Sequence, residues 1–263
     1  MQHWIGLIIG AFATVTQAAP VQFERLSADP VVHGKRLATV LGCNGCHGAA
    51  MTGEDWSEPG FAKIWTSNLT RAAPRYTDAQ LARAITGGVR FDGSVLWEMP
   101  SHLFTQLKPD DITAIIAYVR SAPVAGVEHP RPVLENGAKD EIAKGLYRSS
   151  RDEVKRVGRV LPPDVGPAHA LGRTIARATC AECHGLDLRG GLPYPGAAAR
   201  PDLRIAAGYD AAQFKQLLQM GIAIGGRDVG LMGQVARSRY KQLTDGERAA
   251  LLDYLHKVAE VAP

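Results

Sequence analysis

Apolar positions recur with helical period in two closing segments, and polar residues mark where each begins. In LKPDDITAIIAYVRS, starting at Leu107, Ile112, Ile115, Ile116 and Val119 form one stripe. Pro109 suits a first helical position, and Asp110 and Asp111 favour the first turn. In LTDGERAALLDYLHK, starting at Leu243, Leu251, Leu252, Leu255 and Val258 form the matching stripe. Arg248 replaces its first apolar position, and Thr244 with Glu247 reads as a capping box. A middle helix also occurs twice. YTDAQLARAITGG from Tyr76 has Thr77 and Gln80 as a capping box and stops at Gly87–Gly88. YDAAQFKQLLQMG from Tyr209 has Asp210 as cap and stops at Gly221, which sets Met220 opposite Thr86. Asp29–Pro30 opens a helix running into Cys43, and Pro167 plays a similar part before Cys180. Gly34 and Gly172 stand at nearly the same distance before those cysteines.

Each half therefore reads helix, cysteine motif, long loop, helix, Met-bearing loop, helix. The class is all-α and loop-rich, with no strand alternation competing. Residues 124–166 carry EHPRP and VLPPDVGP, which predicts a linker with one short helix around residues 139–156. The division is a segment at 1–18, a first domain at 24–123, a linker at 124–166 and a second domain at 167–262.

The segment 1–18 changes the expected compartment. Its apolar run from Ile5 to Val15 precedes small residues, as in an export signal, and is short for a membrane span. The expectation is a periplasmic protein, with an uncleaved N-terminal anchor and peripheral membrane association as the alternative. Charge adds little. The formal net charge is +4 without a basic run, which gives a nucleic-acid role no support. Residues 169–263 hold 12 basic and 9 acidic residues, so the bias sits in the second half.

The chemistry lies in CNGCH at 43–47 and CAECH at 180–184, which use all four cysteines. A disulfide would have to close a tight loop or reach between the motifs. Zinc sites need no histidine directly after the second cysteine. A thioredoxin-type pair should follow a strand in a βαβ unit, and none precedes either motif. Covalent attachment of haem c uses every residue. Thiols three apart share one side of a helical turn and can each bond a vinyl group, and the next histidine faces the iron. Two haem c groups are expected, on Cys43, Cys46 and His47 and on Cys180, Cys183 and His184. A thioether is the usual second axial ligand in electron carriers. The candidates are Met51, Met99, Met220 and Met232. Met51 follows His47 too closely to cross the ring, and Met220 ends a helix. His47 to Met99 is 52 positions and His184 to Met232 is 48, each followed by the closing helix, so Met99 and Met232 are expected.

NLT at 68–70, ITGGVRFDG at 85–93, MPSHLF at 99–104 and IIAYVRS at 115–121 resemble the cytochrome subunit of membrane-associated alcohol and aldehyde dehydrogenases. GLMGQVARSRYKQLTDGERAALLDYL at 230–255 resembles the closing half of another small cytochrome c domain. The resemblance is to dihaem class I cytochromes c, with two tandem domains of that kind. That subunit usually carries three haems, whereas this chain has two attachment motifs. The resemblance implies an electron-transfer protein, not an enzyme. A periplasmic dehydrogenase would be its donor, and another cytochrome or a terminal oxidase its acceptor on the way to the respiratory chain. It also implies a proline whose carbonyl orients each proximal histidine, matched here to Pro59 and Pro193. The alternative is a dihaem redox enzyme of peroxidase or thiosulfate-oxidising type with one exchangeable ligand. For that role His102, three after Met99, is the residue to watch. The other histidines, His33, His129, His169 and His256 among them, read as surface residues.

Overall fold

The computed structural model describes residues 21–192 and 197–261. The segment 1–18 and Pro193 lie outside them. Among the described residues no helix is long and apolar enough to cross a membrane.

Helix Pro30–Val40 starts where Asp29 caps it, its carboxylate accepting from Val31 N at 2.8 Å. It crosses helix Pro109–Ser121 at close range. A Cβ on Gly34 would stand 1.8 Å from the Ala114 carbonyl oxygen, so only glycine permits the crossing. The second half repeats the arrangement. Helix Ala170–Ile175 crosses helix Asp245–Val261, and a Cβ on Gly172 would stand 2.1 Å from the Ala250 oxygen. The two apolar stripes meet the core at this crossing. Ile112, Ile115, Ile116, Val119, Leu251, Leu252, Leu255 and Val258 are all buried. Together with Phe23, Leu37, Ile175 and Phe214 they form one cluster running through both halves.

The middle helices, Asp78–Gly87 and Ala211–Met220, both carry a complete capping box, Thr77 with Gln80 and Asp210 with Gln213. Both end on a left-handed glycine, Gly88 (φ 67°, ψ 30°) and Gly221 (φ 72°, ψ 23°). These caps register the halves at 133 positions, and Met220 therefore falls opposite Gly87, one place after Thr86.

The opening helices end differently from the expectation of a continuous run into each cysteine. The first breaks at Gly42 (φ 82°), and a separate helix, Cys43–His47, follows. The second passes through a π-helical turn, Ala176–Cys180, into Ala181–His184.

The segment between the halves is more structured than a linker with one helix. It holds two, Asn136–Ala143 and Ser150–Val157, separated around Gly145 (φ 70°). Val133–Leu134 pairs antiparallel with Ala62–Lys63, a minimal sheet in an otherwise helical chain. Backbone bonds fasten this segment to the first half. Glu135 N donates to Phe61 O at 2.8 Å and Ser150 N to Leu96 O at 2.9 Å, and Asn68 Nδ2 donates to Ala125 O and Val127 O. The halves also touch directly. Arg36 forms an ion pair with Glu247 at 2.8 Å, and Glu247 also accepts from Glu24 N at 2.9 Å.

Candidate haem sites

After each attachment motif the backbone repeats residue by residue. Gly48 and Gly185 share φ 75° and ψ 161°. Gly53 N donates to His47 O at 2.9 Å, and Gly190 N to His184 O at 2.9 Å. Met51 and Leu188 occupy one position of this turn, with φ 59° and 61°, and both are buried. Leu69 N donates to Met51 O and Leu203 N to Leu188 O. A leucine fills the position as well as Met51 does, so packing explains Met51 without a ligand role.

The same turn orients each histidine. His47 Nδ1 lies 2.8 Å from Ser67 O, and His184 Nδ1 lies 2.9 Å from Pro201 O. Each Nδ1 donates, which fixes the tautomer and leaves Nε2 with its lone pair as the free nitrogen. Burial pushes both imidazoles below their ordinary range, so they are held neutral, although these hydrogen bonds oppose the shift. The orienting carbonyls thus belong to Ser67, not Pro59, in the first half and to Pro201 in the second. Pro59 is exposed, in the turn closed by the bridge between Glu58 and Ala62.

One cavity of the first half gathers Cys43, Cys46, His47 and Met99. Its empty space, open mouth included, is about 1250 Å³. Leu81, Ile85, Phe104, Ile115, Ile116 and Val119 line it with carbon, and Arg90 adds a guanidinium. A large, flat, mostly apolar group with two thiol-reactive positions fits this lining. Trp56, Trp65 and Trp97 also line it, and Trp97 stacks on Tyr147 with centroids 4.9 Å apart. No motif or periodic stripe marks these tryptophans. Their placement between His47 and Met99, in a chain that is only 6% aromatic, was a usable signal.

Met99 stands 11 positions after Gly88, and Met232 stands 11 after Gly221. The connecting loops match as well. Leu96 N donates to Gly88 O at 2.8 Å and Val229 N to Gly221 O at 3.3 Å. Both methionines are partly buried against the core. Met220 is 58% exposed, with its carbonyl accepting from Arg237.

The four cysteines are unpaired, and among the described residues no three His, Cys, Asp or Glu side chains gather as a metal cluster. Burial pushes the thiol of Cys43 up to about 12 and those of Cys46 and Cys180 up to about 11, and it raises Cys183. The other histidines are engaged elsewhere. His129 Nε2 lies 2.8 Å from Thr52 O, His169 pairs with Asp253, and His256 Nε2 lies 3.1 Å from Ala206 O and Tyr209 O. His33 is not a surface residue. It is buried at 3.3 Å from Asp111, under the helix crossing. His102 is absent from the cavity lining that contains Met99, Pro100 and Phe104. It faces the linker, near Glu153 and Arg156, and its carbonyl accepts from Arg177.

Tandem attachment motifs and oriented histidines in an α-helical frame define a class that comparison bears out. The cytochrome c family profile matches residues 31–123 and again 169–259, and the chain belongs to that family. Cytochrome c domains carry covalently bound haem c. The chain is 23% identical to the fructose dehydrogenase cytochrome subunit of Gluconobacter japonicus, over 94% of this chain and 55% of that protein. It is 25% identical to the alcohol dehydrogenase (quinone) cytochrome c subunits of Gluconacetobacter polyoxogenes and Komagataeibacter europaeus, over 96% of this chain and 61% of each. The chain thus spans between half and two thirds of the length of these relatives.

Proposed function

We propose that the chain is a dihaem electron-transfer protein. Residues 24–123 would hold one haem c, on Cys43 and Cys46 with His47 and Met99 as axial ligands. Residues 167–262 would hold the second, on Cys180 and Cys183 with His184 and Met232. The observation that carries this reading is that His47 and Met99 line one apolar cavity, while the elements that position them recur 137 residues later for the histidine and 133 residues later for the methionine. Bound haem supplies a one-electron Fe(II)/Fe(III) couple, and histidine–methionine ligation raises its potential. The protein's part is positioning and exclusion. Ser67 and Pro201 hold the imidazoles with Nε2 free. The apolar lining keeps water from the iron position, and Arg90 offers a cation to the haem carboxylates. With His47 and Met99 holding one haem iron and His184 and Met232 the other, neither site would have room for a substrate, which separates a carrier from the peroxidase-type alternative.

The named relatives, cytochrome subunits of dehydrogenases, favour a dehydrogenase as donor; another cytochrome or a terminal oxidase would be the acceptor. The location follows as the periplasm, with the segment 1–18 directing export or tethering the chain peripherally. The positive bias of residues 169–263 would act on the rate of partner encounter and fade with salt.

Carbon monoxide tests the sealed sites. The reduced wild-type holoprotein should bind none, Met99→Ala should open the first haem alone, and Met232→Ala the second alone. CO uptake by the wild type, or an unchanged spectrum in Met232→Ala, would overturn the ligand assignment.

A further inference from the structure

Glu182 lies between Cys180 and Cys183, yet it lines the cavity of the first half beside Cys43, Cys46 and His47. The two attachment motifs therefore abut. Arg239, just after helix Leu231–Ser238, closes the junction. Its Nη1 donates to Glu182 Oε2 at 3.0 Å, and its Nε donates across the halves to Val40 O at 3.4 Å. A Cβ on Gly42, the residue before Cys43, would stand 2.4 Å from the guanidinium carbon. The left-handed Gly42 that breaks the first helix is thus also what admits Arg239. The arginine side chain is only 16% exposed, and its Nη2 is buried without a partner. The charge of Arg239 acts on all four cysteine thiols, and that of Glu182 on three of them. The sulfurs mark the edge by which each haem would be held, so both edges flank a single ion pair.

We infer that the two haem sites exchange electrons directly across this junction, and that Arg239 is the positioning residue holding the attachment motifs edge to edge. The inference rests on the carrier reading above. The step is balanced within the chain: one electron leaves Fe(II) at one site, which becomes Fe(III), and reduces Fe(III) at the other to Fe(II). No bond or proton moves. Arginine suits the position because its fork reaches Glu182 and the Val40 carbonyl together, which a lysine ammonium cannot do with the same geometry.

The test is one-electron photoreduction of the full-length dihaem protein, following redistribution between the haems, with Soret circular dichroism as a second readout. The wild type should equilibrate at a rate independent of protein concentration and show a coupled Soret signal. Arg239→Leu, with both haems attached and both irons still six-coordinate, should slow equilibration about tenfold or more and weaken the coupled signal. Arg239→Lys should recover part of each. If Arg239→Leu fails to load both haems, Glu182→Gln decides instead, with a slowing of about threefold expected from loss of the charged bond. An unchanged rate in the variant that is read would overturn the inference, as would wild-type exchange that depends on concentration. CO uptake by the wild type would sink the carrier reading and leave the equilibration rate to report on the junction separately.

Discussion

Gly34 and Gly172 set how closely the first and last helices of each half can cross, and a single methyl group tests it. Gly34→Ala drives a Cβ into the Ala114 carbonyl, a backbone atom that cannot move without its helix. The variant should lose about 1–3 kcal/mol in denaturant unfolding, the usual cost of overpacking. Wild-type stability in Gly34→Ala would show that the helices can part freely. At this scale the sequence was legible where chemistry forces a residue type. The cysteines and histidines of both motifs could be read because few other groups combine those functions at that spacing. Met99 and Met232 stand out as candidates because each follows its histidine by about fifty positions and precedes a closing helix. Ser67 and Pro201 could not be read, because a backbone carbonyl belongs to every residue and only the turn decides which one meets the imidazole. The pairing of His33 with Asp111 was hidden for a similar reason, since the sequence does not say which polar face a helix crossing will cover.

Among the elements, the segment between the halves contributes most beyond the sequence reading. Its prolines and charges suggested a connector, yet its helices brace the loop that carries Met99. Tyr147 stacks on Trp97 and meets Phe61 edge-on at 5.1 Å, while Ser150 N holds Leu96 O. These contacts pair residues far apart in the chain, which no local pattern reports. Tyr147→Ala should release the loop without removing Met99, the proposed ligand. With about 0.5–1.5 kcal/mol of aromatic packing lost, added imidazole should displace Met99 at up to about tenfold lower concentration. Spectrophotometric titration measures this, and equal titration curves for Tyr147→Ala and wild type would mean the segment does not support the loop. The capping boxes and apolar stripes were the most legible elements because their signals are local and periodic. The break at Gly42 was not, since it answers to Arg239 nearly two hundred residues away.

For the whole molecule, the two halves share one core and are joined by charged groups as well as by chain. Arg36 reaches the Glu247 carboxylate, which also accepts from Glu24 N and Thr244 N. The pair is nearly closed to solvent, at 9% and 0% side-chain exposure. Arg36→Ala would leave the carboxylate buried on backbone donors alone and should cost about 3 kcal/mol. Calorimetry should then show the halves unfolding in separate steps, and a single transition at the wild-type temperature would argue against this contact. A repeat was visible in the sequence because its markers recur in order. How the repeats meet was not visible, because the surfaces that touch differ between them. The central claim is that each repeat carries its own haem. Intact-mass measurement of the protein, exported from a host with the haem-attachment machinery and denatured before analysis, tests it most directly. A mass equal to the polypeptide plus two haem groups is expected, falling by one group when both cysteines of either motif are replaced by serine. A wild-type mass with one haem or none would contradict it.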